Sequence, residues 1–357
     1  MSDDELSALR EQIAQADRSV LEALERRLSL SLARRPQLVG RQAQDVGRGA
    51  WIDDLLRHAG QQVPREVMRS LLMHLRAEAA ALEQPARVAY SGPEGGLAHQ
   101  VALAQFGHAA ELIECANTGL CLEEVERGRA AFAVFPFESS EEGLSKAALD
   151  ALAVSPLTLI AESRVASRYD VLSHTGNLAD VEKIYLTAAA RLACSKFLRA
   201  ELPKATVFEV RSPMVALQLA RSDAGGAAIV PSGGDPGELQ LARGNMGDEP
   251  ELRYRFGVAA ARPTGRSGVD VTALLFSVND TAGALFNVLR HFAERDVNLR
   301  MLQSRPVHGQ SWDYLFYVEL SGHITDRALV TAIESVKRST GFLKVLGSFP
   351  IEQPVSP

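Results

Sequence analysis

The chain has 357 residues, of which 46% are hydrophobic and 23% charged, a composition typical of globular proteins with more than one packed core. Its net charge of −6 at pH 7 argues against nucleic acid or an anionic membrane as the main partner, because both are bound through clustered cations. No run of 18 apolar residues occurs, so we expect no transmembrane helix.

The first residues indicate the cellular compartment of the protein, and the cysteines indicate whether it holds a metal. The start MSDDEL is acidic and has no apolar run, so we expect no secretory signal and a cytoplasmic protein. Cys115, Cys121 and Cys194 form neither an even set nor a metal-ligand spacing. We therefore expect buried thiols, no metal site and no cofactor.

Residues 1–84 have a helical pattern throughout. Residues 4–35 contain no Gly or Pro, and apolar side chains recur every three or four positions, at Leu6, Leu9, Ile13, Ala16, Val20 and Leu24. This spacing predicts one long amphipathic helix that Pro36 interrupts, followed by a helix over Trp51–His58 and a third that Pro64 starts. So small a unit cannot bury the whole stripe alone, so we expect a homodimer or a higher homo-oligomer.

Residues 86–262 alternate between short apolar runs and helical segments. Runs such as AAFAVFPF, LTLIAES and GAAIV are typical of buried strands, and AAARLACSKFLRAEL predicts a single helix. The alternation indicates α/β layers with largely parallel strands. After the linker at 263–268, residues 268–350 have a β-α-β-β-α-β order, which is the ferredoxin-like motif.

The last region carries motifs that resemble an ACT domain. Residues 280–285 (DTAGAL) resemble that family's strand-to-helix turn, and residues 318–323 (VELSGH) its third strand and turn. Residues 303–306 (QSRP) resemble the Glu-Ser-Arg-Pro element of phenylalanine-sensing members, with Gln in place of Glu. The free N–H groups of such a turn suit a carboxylate. The resemblance implies an L-phenylalanine effector site formed by Gly283, Ala284, Leu285, Gln303, Ser304, Arg305 and Pro306. A ferredoxin-like domain used only for dimerisation is the alternative.

The middle region resembles the prephenate dehydratase domain in three ordered places. These are VAYSGPEG at 88–95 with His99-Gln100, FPFESSEEG at 135–143, and Tyr254-Arg255-Phe256 six residues after Asp248. The resemblance implies a two-lobed α/β domain of the periplasmic-binding-protein type. Its implied dehydratase-like cleft contains His99, Glu138, Tyr254 and Arg255. Each of the surviving polar groups also has a structural interpretation: His99 on a helix surface, Glu138 as a cap and Arg255 in a salt bridge.

Several positions of this cleft depart from the family's pattern. Tyr254 stands for the catalytic Thr, Ser139 for an active-site Asn, residues 186–189 (LTAA) for Ser-His-Pro-Gln, and Ala193 for a Gln. Loss of water and carbon dioxide from prephenate needs a hydrogen-bonding group at the leaving hydroxyl. Leucine and alanine do not supply one, and the Tyr254 hydroxyl lies about 4 Å further from the backbone than that of Thr, which predicts weak or altered catalysis.

The N-terminal helices resemble the all-helical chorismate mutase domain through Arg10, Asp17 and Arg27. The resemblance implies a mutase-like site formed by Arg10, Arg27, Asp45, Arg48 and Glu83, with the arginines holding carboxylates. Leu38 stands for the ether-facing Lys, Gly49 for a Glu, Ala79 for a Ser and Glu83 for a Gln. A structural dimerisation domain with a solvated polar face is the alternative, because the main electrostatic group is lost.

Together these regions resemble the bifunctional chorismate mutase–prephenate dehydratases, with domains at 1–84, 86–262 and 268–350. The resemblance implies a protein of L-phenylalanine metabolism whose ligands are prephenate- or chorismate-like compounds and L-phenylalanine. A non-catalytic, aromatic amino acid-binding regulatory protein, or an enzyme with a changed reaction on a related compound, is the alternative.

Overall fold

The computed structural model describes residues 3–38, 50–57, 63–248, 252–278, 281–306 and 314–351. Within these ranges, no helix combines the length and the apolar character that crossing a membrane requires. The helices of these ranges are α1 (Asp3–Leu38), α2 (Ala50–Arg57), α3 (Arg65–Glu83), α4 (Leu97–Phe106), α5 (Thr118–Glu126), α6 (Lys146–Val154), α7 (Ala188–Ala193), α8 (Ser195–Glu201), α9 (Pro213–Ser222), α10 (Ala284–Ala293) and α11 (Arg327–Ser339). The strands are β1 (Arg87–Ser91), β2 (Glu111–Cys115), β3 (Phe132–Ser139), β4 (Gly143–Leu144), β5 (Thr158–Ala166), β6 (Tyr169–Ser173), β7 (Lys183–Leu186), β8 (Thr206–Glu209), β9 (Gly226–Pro231), β10 (Gln240–Met246), β11 (Arg253–Ala260), β12 (Asp270–Ser277), β13 (Leu299–Pro306), β14 (Tyr314–Ser321) and β15 (Phe342–Pro350).

The N-terminal helices α1 and α2 both pack on α3. The expectation that Pro36 interrupts the first helix is wrong, because α1 continues to Leu38. Proline removes one backbone donor, and here that loss falls in the last turn, where the helix is about to end. The helices join the next unit where α3 meets the end of α4: Gly107 adopts φ 78°, and a Cβ there would lie 2.8 Å from the Ala77 carbonyl oxygen.

The first α/β layer, called lobe 1 below, is a mixed sheet in the order β2-β1-β3-β11-β5, with β4 paired to β3. The strands β1, β2 and β3 are parallel, whereas β11 runs antiparallel to both of its neighbours. The expectation of largely parallel strands is therefore wrong. The chain leaves lobe 1 after β5 and returns only at β11, which enters the sheet from the opposite end.

Lobe 2 is a contiguous unit, a five-stranded sheet in the order β10-β6-β9-β7-β8 with helices α7, α8 and α9. The single helix expected over 188–202 is divided at Cys194, which has φ −115° and ψ 21°. The second half starts anew because the Asp248 carboxylate accepts hydrogen bonds from the backbone N–H groups of Lys196 and Phe197. Such a side-chain cap stabilises a helix start by about 1 kcal/mol.

The C-terminal unit, residues 270–350, has the expected β-α-β-β-α-β order and an antiparallel sheet in the order β13-β14-β12-β15. Helices α10 and α11 cover one face of this sheet through a core that includes Leu274, Val288 and Val318. The other face shares a continuous core with lobe 1. Strand β15 approaches β5 so closely that a Cβ at Gly347 would collide with the Leu159 backbone, and only glycine fits there.

A lysine of the C-terminal unit completes a helix of lobe 1. The Lys344 ammonium donates to the carbonyl oxygens of Leu152 at 2.7 Å and Ala153 at 3.2 Å, and it also bonds the Ser155 carbonyl. Because the last carbonyls of a helix lack partners within it, a cation at this position stabilises the end of α6. Lobe 1 and the C-terminal unit therefore share polar as well as apolar contacts.

Candidate active-site cleft

The two lobes meet at the carboxyl ends of their parallel strands. A Cβ at Gly95, in the glycine loop after β1, would lie 3.2 Å from Pro213 at the start of α9 in lobe 2. The Gln100 amide donates to the Pro231 carbonyl at the end of β9, at 3.3 Å. Ligands of open α/β sheets bind at this edge, so this junction is the candidate cleft.

His99 lies on α4, near the glycine loop. Its ring meets the Tyr90 ring edge-on, with the centroids 5.2 Å apart. Burial lowers the pKa of His99, although Glu94 and Glu114 act in the opposite direction. The imidazole is therefore neutral at pH 7 and offers one donor and one acceptor.

Tyr254 lies opposite Ser139 in the ladder between β11 and β3. Its ring packs on the face of lobe 1 that α4 covers, where its neighbours include Phe256. Burial raises the pKa of Tyr254, and Glu142 adds to the effect, so the phenol is protonated at neutral pH. The Ser139 hydroxyl accepts the backbone N–H of Glu142 at 3.0 Å and so holds the turn between β3 and β4.

Arg255 and Glu138 face the other side of the same sheet, toward the C-terminal unit. The Arg255 side chain is only 5% exposed, and its Nε lies 2.7 Å from Oε2 of Glu138. Its Nη1 lies 3.0 Å from Oε2 of Glu162 on β5 and 2.5 Å from Oε1 of Glu319 on β14. Buried guanidinium groups need such charged partners, because an uncompensated buried charge is strongly unfavourable.

Aromatic side chains complete this group, which we call the Arg255 cluster (Arg255, Glu138, Glu162, Glu319, Tyr317 and Phe137). The Tyr317 hydroxyl donates to Oε1 of Glu319 at 2.6 Å, and the Arg255 guanidinium lies 5.0 Å from the centre of the Phe137 ring. Burial disfavours the charged guanidinium, but Glu319, Glu162 and Glu138 outweigh it and hold the pKa of Arg255 above its usual range. The guanidinium is therefore charged at neutral pH.

The sheet of lobe 1 thus separates the expected dehydratase-like residues into two pairs. His99 and Tyr254 lie on the side of α4, whereas Glu138 and Arg255 lie on the side of the C-terminal unit. Sequence reasoning missed Glu162 and Glu319 as partners of Arg255. A signal existed, since each is a carboxylate that directly follows an apolar run in its strand, and such a residue needs a buried partner.

The expected mutase-like residues are partly assembled between α1 and α3. The Ser31 hydroxyl donates to Oε1 of Glu83 at 2.9 Å and accepts from Arg27 at 2.5 Å. Arg34 approaches the other carboxylate oxygen of Glu83 at 3.4 Å. Arg10 is exposed near the other end of α1, away from this group. Two further residues of the expected site, Asp45 and Arg48, lie outside the described residues.

Polar groups near the substituted positions of lobe 2 are used by helix starts. Thr187 is the N-cap of α7 and accepts the Ala190 N–H at 3.3 Å. The Ala193 carbonyl accepts the backbone N–H of Asp248 at 2.7 Å. Burial raises the pKa of the Asp248 carboxyl, but bonds from Lys196 and neighbouring donors outweigh it and lower that pKa. These groups maintain the lobe.

The expected effector residues lie at one end of the C-terminal sheet but on two faces. Gly283, with φ 80°, is the N-cap of α10, and Ala284 and Leu285 begin that helix. Gln303 and Arg305 face lobe 1, because they pair with Tyr317 and Leu315 of the shared core. Ser304 alternates to the helix side, and Pro306 is the last residue of β13.

Two of these residues contact lobe 1 directly. Oε1 of Gln303 accepts the Leu144 backbone N–H at 3.4 Å, and Arg305 forms an ion pair with Asp150 of α6. A small open cavity of about 100 Å³ lies beside them, lined by Leu144, Lys146, Leu149, Gln303, Ser304 and Arg305. The segment therefore combines a domain contact with a recess that carries cationic and apolar side chains.

Comparison with known proteins defines the class. The prephenate dehydratase family model matches residues 88–264, and the ACT domain model matches residues 272–338 of the C-terminal unit. The structure of prephenate dehydratase from Arthrobacter aurescens in complex with L-Phe has a TM-score of 0.63 at 30% identity, over 76% of this chain and 93% of that chain. Prephenate dehydratase from Staphylococcus aureus shares the fold, with a TM-score of 0.63 at 24% identity over 74% of this chain and 99% of that one. The protein has a two-lobed α/β core of the prephenate dehydratase type with an ACT domain.

A relative that matches nearly the whole chain, including the N-terminal helices, narrows this class. The bifunctional chorismate mutase/prephenate dehydratase of Aquifex aeolicus is 31% identical over 360 aligned residues, which cover 97% of this chain and 98% of that protein. The protein of the same name from Neisseria gonorrhoeae is 33% identical over 293 residues, 81% of each chain. The chain belongs to the family of bifunctional chorismate mutase/prephenate dehydratases.

The Arg255 cluster predicts a large stability effect for one substitution. Arg255→Gln removes the cation that three carboxylates share, so we expect the free energy of unfolding at neutral pH to fall by about 3–5 kcal/mol. The matched control is Arg164→Gln, which removes a 43% exposed partner of Glu162 and should cost less than about 1 kcal/mol. Urea unfolding followed by circular dichroism measures both, and equal losses in the two variants would contradict the prediction.

Proposed function

We propose that this is a cytoplasmic chorismate mutase/prephenate dehydratase-like protein of L-phenylalanine metabolism, with an L-phenylalanine-sensing ACT domain and weak or altered catalysis. Its family membership supports the ligand class: prephenate or chorismate-like dicarboxylates at the N-terminal helices and in the cleft between the lobes, and an aromatic amino acid at the ACT domain. The observation that carries the catalytic part of the proposal is the cross-strand pair of Tyr254 and Ser139 at the edge of the cleft.

That pair occupies the places of the family's Thr and Asn. Conversion of prephenate to phenylpyruvate breaks a C–C bond to release carbon dioxide and a C–O bond to release water, and the leaving hydroxyl must receive a proton. Tyr254 keeps a hydroxyl, but its phenol ring packs beside Phe256, and burial raises its pKa. The Ser139 hydroxyl already accepts a hydrogen bond within its own turn. The raised pKa makes Tyr254 a weaker acid, and the bond from Glu142 fixes the Ser139 oxygen within its own turn, so this pair differs in both acidity and placement from the Thr and Asn that the resemblance implies.

A non-catalytic regulatory protein that binds an aromatic amino acid is the second candidate. The use of local polar groups for structure favours it: Thr187 and Asp248 cap helices, and Glu138 is held by Arg255. An enzyme with a changed reaction on prephenate or a related compound would form products of its own, whereas the non-catalytic candidate would form none. An assay that identifies every product therefore separates the three possibilities.

We expect prephenate turnover below the ordinary enzyme range of about 1–1000 per second. Each missing transition-state contact costs roughly 2.7–4 kcal/mol, and several are missing. Tyr254→Thr alone should not restore turnover, because Ser139 and Ala193 remain. The measurement is incubation of purified protein with prephenate and, separately, chorismate, with all products identified by mass spectrometry. Phenylpyruvate formation by the unaltered chain at an ordinary rate would refute the prediction.

We expect L-phenylalanine to bind at the turn that starts α10. Calorimetry with L-phenylalanine should give heat with the unaltered chain and little with Gly283→Val, because a β-branched residue at φ 80° costs roughly 1–2 kcal/mol and deforms the turn. Gly128→Val is the matched control: that glycine has φ 69° and equally open space but lies beyond the end of α5. Absence of heat with Phe, Tyr and Trp at millimolar concentration, or equal loss in both variants, would leave the ACT domain without this role.

We further expect a homodimer or a higher oligomer that buries the apolar stripe of α1. Ile13 and Val20 are 54% and 57% exposed in the single chain, far more than packed helices leave uncovered. Light scattering should give at least twice the chain mass of 38.6 kDa. Val20→Glu should weaken the assembly, whereas Gln12→Glu on the same helix should not. A monomer at micromolar concentration would exclude this assembly.

A further inference from the structure

A carboxylate of the ACT domain is part of the Arg255 cluster. Glu319 on β14 is only 7% exposed; its Oε1 lies 2.5 Å from Nη1 of Arg255 and accepts the Tyr317 hydroxyl at 2.6 Å. A carboxylate removed from water in this way is stable only while its cation and its donor stay in place. The position of β14 in the ACT domain and that of Arg255 in lobe 1 are therefore fixed together.

The other two carboxylates have further means of compensation. Arg164 approaches Glu162 at 3.1 Å as a second cation, and Glu138 is 25% exposed, so water solvates it in part. For Glu319, by contrast, the cation described in the structure is Arg255 itself. A displacement of β14 therefore acts on the guanidinium of Arg255 rather than on the other carboxylates.

Arg255 transmits its position to the edge of the cleft through the β-ladder. It pairs with Glu138, and the next pair in the ladder is Tyr254 with Ser139. Because successive residues of one strand share a rigid backbone, a shift of Arg255 moves Tyr254 on the opposite face. The register between β3 and β11 shifts next to Arg255, and a bulge of this kind is a place where a strand can bend.

A second contact from the ACT domain reaches β4, the short strand that pairs with β3. Gln303 on β13 accepts the N–H of Leu144 in β4, and Leu144 pairs directly with Glu138. The ACT domain thus holds both sides of the cleft edge, β11 through Glu319 and β4 through Gln303.

We propose that Glu319 is a positioning residue of the central cleft, through which the ACT domain sets the placement of Arg255 and, one ladder pair away, of Tyr254 and Ser139. Occupancy of the ACT domain and of the cleft are then coupled through this carboxylate. The coupling, although not the positioning, rests on the ligands assigned under the proposed function.

Hydrogen exchange of the ligand-free protein tests the positioning. Glu319→Gln keeps the size of the side chain and removes its charge, and Tyr317→Phe keeps the ring and removes the donor to Glu319. We expect backbone amides at 138–140 and 253–256 to exchange at least about fivefold faster in Glu319→Gln, with the same direction and a smaller change in Tyr317→Phe, because stability differs locally within a fold. Strands β7 and β9 of lobe 2 should be unaffected.

Lys344→Met is the matched control, since it removes a different contact between the ACT domain and lobe 1, at the end of α6. It should loosen α6 and leave amides 253–256 unchanged. Equal acceleration of those amides in Lys344→Met and Glu319→Gln, or none in Glu319→Gln, would overturn the positioning role. If Glu319→Gln does not fold, Tyr317→Phe decides on the same criterion.

Calorimetry with prephenate, in the presence and absence of L-phenylalanine, tests the coupling. We expect L-phenylalanine to change the prephenate affinity of the unaltered chain about 5- to 150-fold, and Glu319→Gln to bring that ratio close to one while each ligand still binds alone. A ratio that Glu319→Gln leaves unchanged would overturn the coupling. If the unaltered chain binds neither ligand, the proposed function fails, while the exchange experiment still decides on the role of Glu319.

Discussion

The burial of one guanidinium organises the centre of this molecule. Arg255 is nearly inaccessible to water, and a charge in that position is tolerated only when anions and hydrogen-bond acceptors surround it. Its partners come from β3, β5 and β14, which are far apart along the chain. The bulge in the pairing of β3 with β11 fits the same requirement, because Phe137 lies within the bulged segment and its ring faces the guanidinium. Lobe 1 and the ACT domain are consequently a single packed body around this charge.

The polar groups around the cleft have roles that depend on where the fold places them. The face of the sheet on which a residue lies determines its contacts. Tyr254 and Arg255 are neighbours in sequence, yet Tyr254 faces α4 and Arg255 faces the ACT domain. The two residues belong to one sequence motif, but one lies in the cleft-side packing and the other in the buried charge cluster. In lobe 2, the groups that cap α7 and α8 contribute to local stability whether or not a ligand is present.

Much of the secondary structure could be predicted from the sequence, and the misses have a physical pattern. Strands such as GAAIV, buried at every position of β9, are continuous apolar runs. The strands β2 and β10, which no continuous apolar run predicts, are both edge strands with exposed polar positions, so they lack that signal. The division of the helix at Cys194 depends on Asp248, more than fifty residues away, which no local pattern contains.

The candidate site was less accessible to sequence reasoning than the fold. The residue types of the motifs were correct indicators of ancestry, but the partners of Arg255 depend on the register of β11 between β3 and β5 and on the docking of β14. Such pairings are long-range, and local patterning does not determine them. Glu162 and Glu319 could have been suspected as buried carboxylates, but not assigned to the same cation.

The order of the strands also has a consequence for synthesis on the ribosome. Lobe 2 is built from one continuous stretch, residues 169–246, whereas the sheet of lobe 1 needs β11 between strands that were made more than eighty residues earlier. The carbonyl groups at the end of α6 gain their cation later still, after Lys344 has left the ribosome. The inserted lobe therefore has all of its strands available while the lobe that precedes it in the chain still has an open gap between β3 and β5. A nascent chain stalled after β10 and before β11 would expose the unpaired edges of β3 and β5. Such edges bind chaperones or pair with other chains and aggregate.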